Sequence, residues 1–154
     1  MKIKIIFTLC FSALLLCAIP VINLLVDSPV VMPLETWSGK AVSFQKVAPI
    51  IQQACLSCHS SKAQLPWYAG LPGVKQLIQN NREEGLEELN MESALFSIGN
   101  APNKKVLARI KKEIELGKMP PWDYRAAHWG AILSGKQKQA IYDWIRDEQQ
   151  TQNI

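Results

Sequence analysis

Cys55-Leu56-Ser57-Cys58-His59 reads C-x-x-C-H. Two thiols one helical turn apart can each add across a vinyl group of a haem. A histidine directly after the second thiol then offers an imidazole nitrogen to the iron. Every part of the spacing has a task, which makes the pattern more specific than C-x-x-C alone. Two other chemistries use similar residues. A thioredoxin-like dithiol needs a preceding strand and a βαβ setting, and neither is legible. A zinc site made of Cys55, Cys58, His59 and His128 has the right ligand count, but Cys58 and His59 are sequence neighbours and would have to converge on one small ion. The expectation is one covalent haem c, held by Cys55 and Cys58, with His59 as proximal iron ligand.

The 154 residues suffice for one domain and a targeting segment. Of the four cysteines, Cys10 and Cys17 lie in an apolar N-terminal run and the other two in the haem motif, so none remains for a disulfide framework. Net charge is +4, and about +3 once Lys2, Lys4 and Asp27 around the apolar run are set aside. The basic residues are scattered among glutamates, which gives nucleic-acid binding no support.

Ile5 to Val26 holds 22 residues without a charge. A secretory apolar core is usually about 7–15 residues, whereas a spanning helix needs about 20. No A-x-A site follows, and Leu16 stands before Cys17 where a lipoprotein box has a small residue. The expectation is an uncleaved anchor over 1–27; a cleaved signal and a lipidated Cys17 are the alternatives. Lysines before the run and an aspartate after it put the N-terminus inside and the bulk outside. That agrees with the motif, because bacteria attach haem covalently on the outer side of the inner membrane. The expected location is therefore the bacterial inner membrane, with the soluble domain in the periplasm. Residues 28–41, with Pro29, Pro33 and Gly39, read as an extended linker lifting the domain off the bilayer.

Residues 42–150 read as one all-α domain. Phe44, Val47, Ile50, Ile51 and Ala54 form one face of a helix over Val42 to Ala54, with Pro49 as a possible kink and Ser43 as a cap. The turn-rich stretch Ser60 to Gly73 carries Trp67 and Tyr68, read either as a wall of the haem pocket or as ordinary core. A short helix is expected over Val74 to Asn80, with Val74, Leu77 and Ile78 inward. Asn80 to Glu88 reads as a charged, solvated turn, and 89–98 takes no assignment. Val106, Leu107, Ile110 and Ile114 mark an amphipathic helix capped by Asn103 and stopped by Gly117. Ser134 opens the last helix, whose Gln137, Ile141, Trp144 and Ile145 share a face; the tail after Glu148 reads as frayed. The first and last helices of the domain should cross, setting Phe44 and Val47 against Trp144.

Lys118-Met119-Pro120-Pro121-Trp122 follows the Gly117 stop. A thioether is a soft, weak ligand that must be held in place, and a proline-stiffened loop does that. It lies 60 residues beyond His59, far enough to return on the other haem face. Met119 is the expected distal ligand, His128 the competitor, and Trp122 a further pocket residue.

Together these pieces resemble a class I cytochrome c and, more closely, the bacterial haem-binding domain family of c-type cytochromes. The resemblance rests on Val47-Ala48-Pro49-Ile50-Ile51, Cys55 to Ser60, Pro66-Trp67-Tyr68, Leu89-Asn90-Met91, Met119 to Tyr124, His128, and Leu133-Ser134 leading to Trp144. It covers about 43–147 and implies covalent haem and an exported location. It accommodates both Met119 and His128 and so does not choose the distal ligand. The reading is a membrane-anchored mono-haem electron carrier rather than an enzyme, serving redox partner proteins or a membrane respiratory complex. The alternative is a redox or gas sensor, or a peroxidase-like protein, with an open or displaceable distal site and His128 or Arg125 as distal groups.

Overall fold

A computed structural model of the protein describes residues 2–25, 42–95 and 102–152. All regular structure among them is helical, as expected. The expected linker, 28–41, lies outside the described residues. Helix α1 (Lys2–Leu25) is long and apolar enough over Ile3–Leu25 to cross a membrane. Its outer end is not lifted clear of the domain: Asn23 Nδ2 donates to the Ala127 carbonyl oxygen at 2.8 Å.

Helix α2 (Val42–Ala54) runs unbroken through Pro49, whose ring stands on the exposed side. Its inner face buries Phe44, Val47, Ala48, Ile51 and Ala54 and packs on the last helix, α8 (Gly135–Thr151). Phe44 meets Trp144 edge-on, ring centroids 5.3 Å apart, as the apolar spacing predicts. Ser134 caps α8 through a full capping box with Gln137, which satisfies two amides that the helix start leaves open. α8 continues past Glu148 to Thr151, and Gln152 Nε2 donates to the Pro102 carbonyl oxygen at 2.8 Å. The tail is thus fastened where fraying was expected.

Between these helices lie α3 (Leu56–His59), α4 (Val74–Glu88), α5 (Met91–Leu95), α6 (Lys104–Glu115) and α7 (Trp122–Ala127). α6 starts at Asn103, whose side chain accepts from the Lys105 amide at 2.8 Å; it buries Leu107, Ile110 and Ile114 and lies along α8. The largest departure concerns α4. The charged run after Asn80 is the second half of a 15-residue helix rather than a turn. Arginine and glutamate are good helix formers, and charge density alone does not end a helix. Leu77, expected inward, is exposed, and Gly85 is the buried position of α4.

The α2–α8 seam holds the two ends of the domain together. Trp144→Ala should cost about 3–5 kcal/mol of stability, the usual range for emptying a buried aromatic site. Urea unfolding followed by far-UV circular dichroism measures this; a loss below about 1 kcal/mol would show that the site collapses around the missing ring.

Candidate functional site

Cys55 extends α2 by one residue, its amide donating to the Ile51 carbonyl at 2.9 Å. The amides of Cys58 and His59 then both turn back to the Cys55 carbonyl, at 3.3 and 3.1 Å. Leu56, fully buried, pins this turn to the core. One cavity of about 330 Å³ is lined by Cys55, Cys58, His59 and Met119 together, closed by Leu89, Ile110, Ile114 and Tyr124. Arg109, which pairs with Glu88, and Glu113 and Lys118 supply its charged part. Pockets that hold small molecules and cofactors run from about 300 to 1,000 Å³.

His59 is buried, and its Nδ1 donates to the Leu89 carbonyl oxygen at 2.9 Å. A histidine that ligates a metal commonly gives its other nitrogen to such an acceptor, which fixes the ring and the tautomer. Here the bond leaves Nε2 as the acceptor nitrogen. Leu89 is the extended residue that ends α4, so the end of that helix sets the histidine. Its body does the rest. A β-carbon on Gly85 would stand 2.9 Å from the Cys58 carbonyl oxygen and 3.1 Å from its Cβ. Only glycine lets α4 lie this close to the C-x-x-C-H turn. Past His59, the Ser60 and Ser61 hydroxyls donate to Glu92 at 2.5 and 2.7 Å, tying the outgoing chain to α5.

Met119 is 38% exposed and sits across the cavity from the turn's own chain segment, at the end of α6. Gly117, at φ 68, ends that helix. The Gly117 amide donates to the Ile114 carbonyl at 3.1 Å and the Lys118 amide to Glu113 at 3.0 Å, the paired bonds of a Schellman stop. The Met119 amide joins the same Glu113 oxygen at 3.2 Å. The thioether therefore hangs from a fastened helix end, as the glycine and prolines of the loop suggest.

His128 is elsewhere. It lines a second cavity of about 350 Å³ with Asn23, Gln53, Asn81 and Arg82, on the far side of Cys58 and Tyr124. Both its ring nitrogens are engaged: Nε2 accepts from the Tyr68 hydroxyl at 2.6 Å, and Nδ1 donates to the Tyr124 carbonyl at 3.1 Å. Burial holds its pKa below the ordinary value, which suits a neutral ring with one acceptor nitrogen. The four-ligand zinc set is thus divided between two cavities, and among the described residues no cluster of three or more His, Cys, Asp or Glu is gathered for a metal. Arg125 lines neither cavity.

The expected pocket aromatics fare differently. Tyr68 is buried but lines neither cavity; its hydroxyl is spent on His128 and Asn23. Trp122 is 76% exposed, the first residue of α7 after Pro121, and lines neither. The side chain of Trp67 lies outside the described residues. The aromatic that does form a wall is Tyr124. It lines both cavities, donates to Ser57 Oγ at 2.8 Å and stacks on His128 with centroids 4.0 Å apart.

Burial pushes the Cys55 thiol up to about 12 from 9.0, with the neighbouring Cys58 adding to it. Cys58 is raised too, by burial, against the pull of the Arg82 guanidinium. Both groups are held as neutral thiols at neutral pH.

All-helical fold and donor set together define a small helical haem protein. Residues 14–147 match the haem-binding domain family, and the chain belongs to it. The chain is similar to the cytochrome c peroxidase Ccp of Escherichia coli (strain K12), 30% identical over 96 residues, 61% of this chain. It spans 21% of that relative's length. No solved structure matches it.

Two outcomes follow from the geometry of the turn. Gly85→Ala, which in an open helix would stabilise by about 1 kcal/mol, should instead destabilise by about 1–3 kcal/mol, because the turn and α4 must part. Thermal unfolding reads the sign. Raising the folded pKa of Cys55 means that the fold favours the neutral thiol. Its contribution is therefore full below pH 9 and lost as pH rises from about 9 towards about 12. The haem-free protein should lose stability over that range. Cys55→Ala should remove the part that starts near 9 and leave the later part from Tyr124, whose hydroxyl is raised from 10.0 to about 12 by burial.

Proposed function

We propose that this protein is a membrane-anchored mono-haem c-type cytochrome that transfers single electrons on the periplasmic side of the bacterial inner membrane. Thioethers at Cys55 and Cys58 hold the haem, His59 is the proximal ligand and Met119 the distal one. The observation that carries this reading is the single cavity lined by Cys55, Cys58, His59 and Met119, with His59 Nδ1 already bonded to Leu89. Bound haem supplies an iron that changes oxidation state by one electron. The chain's residues do the rest. The two thiols anchor, Leu89 orients the imidazole, and Ile110, Ile114 and Met91 keep that side of the cavity apolar, so a change of charge meets little rearrangement. The apolar α1 supports the anchor, with redox proteins as partners.

A second reading comes from the similarity to a cytochrome c peroxidase: a haem with an open or displaceable sixth position, which an exposed Met119 would also permit. His128 is a poor distal group for it, since both of its ring nitrogens are engaged.

Three variants separate these readings. Replacing Cys55 and Cys58 together by Ala should leave no haem on a denaturing gel; haem that survived there would overturn the covalent assignment. Wild type should be low-spin in both oxidation states, show the weak sulfur-to-iron charge-transfer band when oxidised, and bind carbon monoxide slowly. Met119→Ala should abolish the band and open the site to carbon monoxide, with haem still attached, while His128→Ala keeps the band. Rapid carbon monoxide binding by the wild type favours the peroxidase-like reading. The reverse pattern in the two variants transfers the ligand role to His128.

A further inference from the structure

The outer end of α1 is built into the domain. Pro20 is buried, Asn23 donates to Ala127 and to the Tyr68 hydroxyl, and α1 packs on α7 and on the 3-10 turn Trp129–Ala131. Gly130 permits the approach: a β-carbon there would lie 3.8 Å from Leu24 Cδ2 and 2.8 Å from Gln53 Nε2. At 1.5 Å per residue, Ile3–Leu25 is about 34 Å long against about 30 Å of hydrocarbon. Asn23 and Leu24 therefore fall at the outer boundary of a bilayer that α1 crosses, and whatever packs on them falls there too.

Two segments surround this exit, 63–74 and 126–135, and neither contains a charged residue, although 19% of the chain is charged. Both expose large apolar side chains: Leu65 at 48%, Trp129 at 41% and Ile132 at 49%. Leu65 shares its cavity wall with Asn23 and Gly130. Scattered exposed apolar residues are ordinary on soluble proteins. A charge-free face that carries them, continuous with the end of a spanning helix and bearing a tryptophan, matches the water–lipid boundary layer, where tryptophan is enriched.

We propose that this face rests in the interfacial layer of the bilayer, with Leu65, Trp129 and Ile132 among the lipid headgroups; the inference rests on α1 being retained as a span. The domain then lies on the membrane and holds the C-x-x-C-H turn at one height above it.

The test uses the full haem-loaded chain in nanodiscs containing a phosphatidylcholine with a photoactivatable diazirine on its acyl chain, with peptide mapping by mass spectrometry. Lipid adducts are expected on α1, 63–74 and 126–135, with none on α8. Trp129→Gln combined with Ile132→Gln, at unchanged helical circular dichroism, should lose the 126–135 adducts and keep those of α1. Adducts confined to α1 overturn the resting face and leave the anchor standing. A mature chain that lacks α1 overturns both. Cross-linking of 126–135 to a protein instead of lipid in native membranes gives the face to a protein partner and also overturns the proposal.

Discussion

The imidazole of His59 has one nitrogen committed, to the carbonyl of Leu89 at 2.9 Å. That bond needs an acceptor with no helical duty, and Leu89 provides one because it is the extended residue at which α4 stops. It also needs α4 to lie against the C-x-x-C-H turn, which the missing side chain of Gly85 allows. The free Nε2, the orientation of the ring and the shape of the cavity on that side all follow from where α4 ends. The end of a polar, mostly exposed helix thus fixes the most specific atom in the site.

Tyr124 divides the interior around the turn. On one side lies the cavity of the two thiols, His59 and Met119; on the other lies a polar cavity with Arg82 and His128. The phenol is held to Ser57 within the motif, and its ring is backed by His128. A histidine used in this way is a structural part: neutral, hydrogen-bonded at both nitrogens and stacked on the wall of the other cavity. The two candidates for the distal side thus differ in situation: one is tied into a network, the other hangs free at its sulfur.

What was legible in the sequence is what local chemistry dictates. The C-x-x-C-H spacing, the Asn103 and Ser134 caps, the Gly117 stop and the apolar faces of α2, α6 and α8 all encode themselves within a few residues. The misread part is α4. Its charges suggested solvent, and a glycine amid them suggested a break, whereas Gly85 is there for contact with Cys58, a partner 27 residues away. The Leu89 carbonyl is backbone, so no side chain announces it. Trp122 illustrates the opposite error: an aromatic beside a ligand loop invites a pocket role, yet Pro121 starts α7 there and the ring faces solvent. Tyr124, two residues on, carries the wall, and only its bonds to Ser57 and His128 distinguish it.

The Schellman stop at Gly117 fastens Met119 to α6, whereas the thiols and the imidazole belong to the continuous run from α2 into α3. The two walls of the cavity are therefore carried by separate arms, joined through α8 rather than through the site itself. This separation implies an order of assembly. The thiol and imidazole arm is complete by residue 59 and is braced by α4 and α5, so it can be engaged while the α6 arm is still open. The sulfur of Met119 is then the last donor to arrive, a latch closed by folding after the covalent chemistry is done.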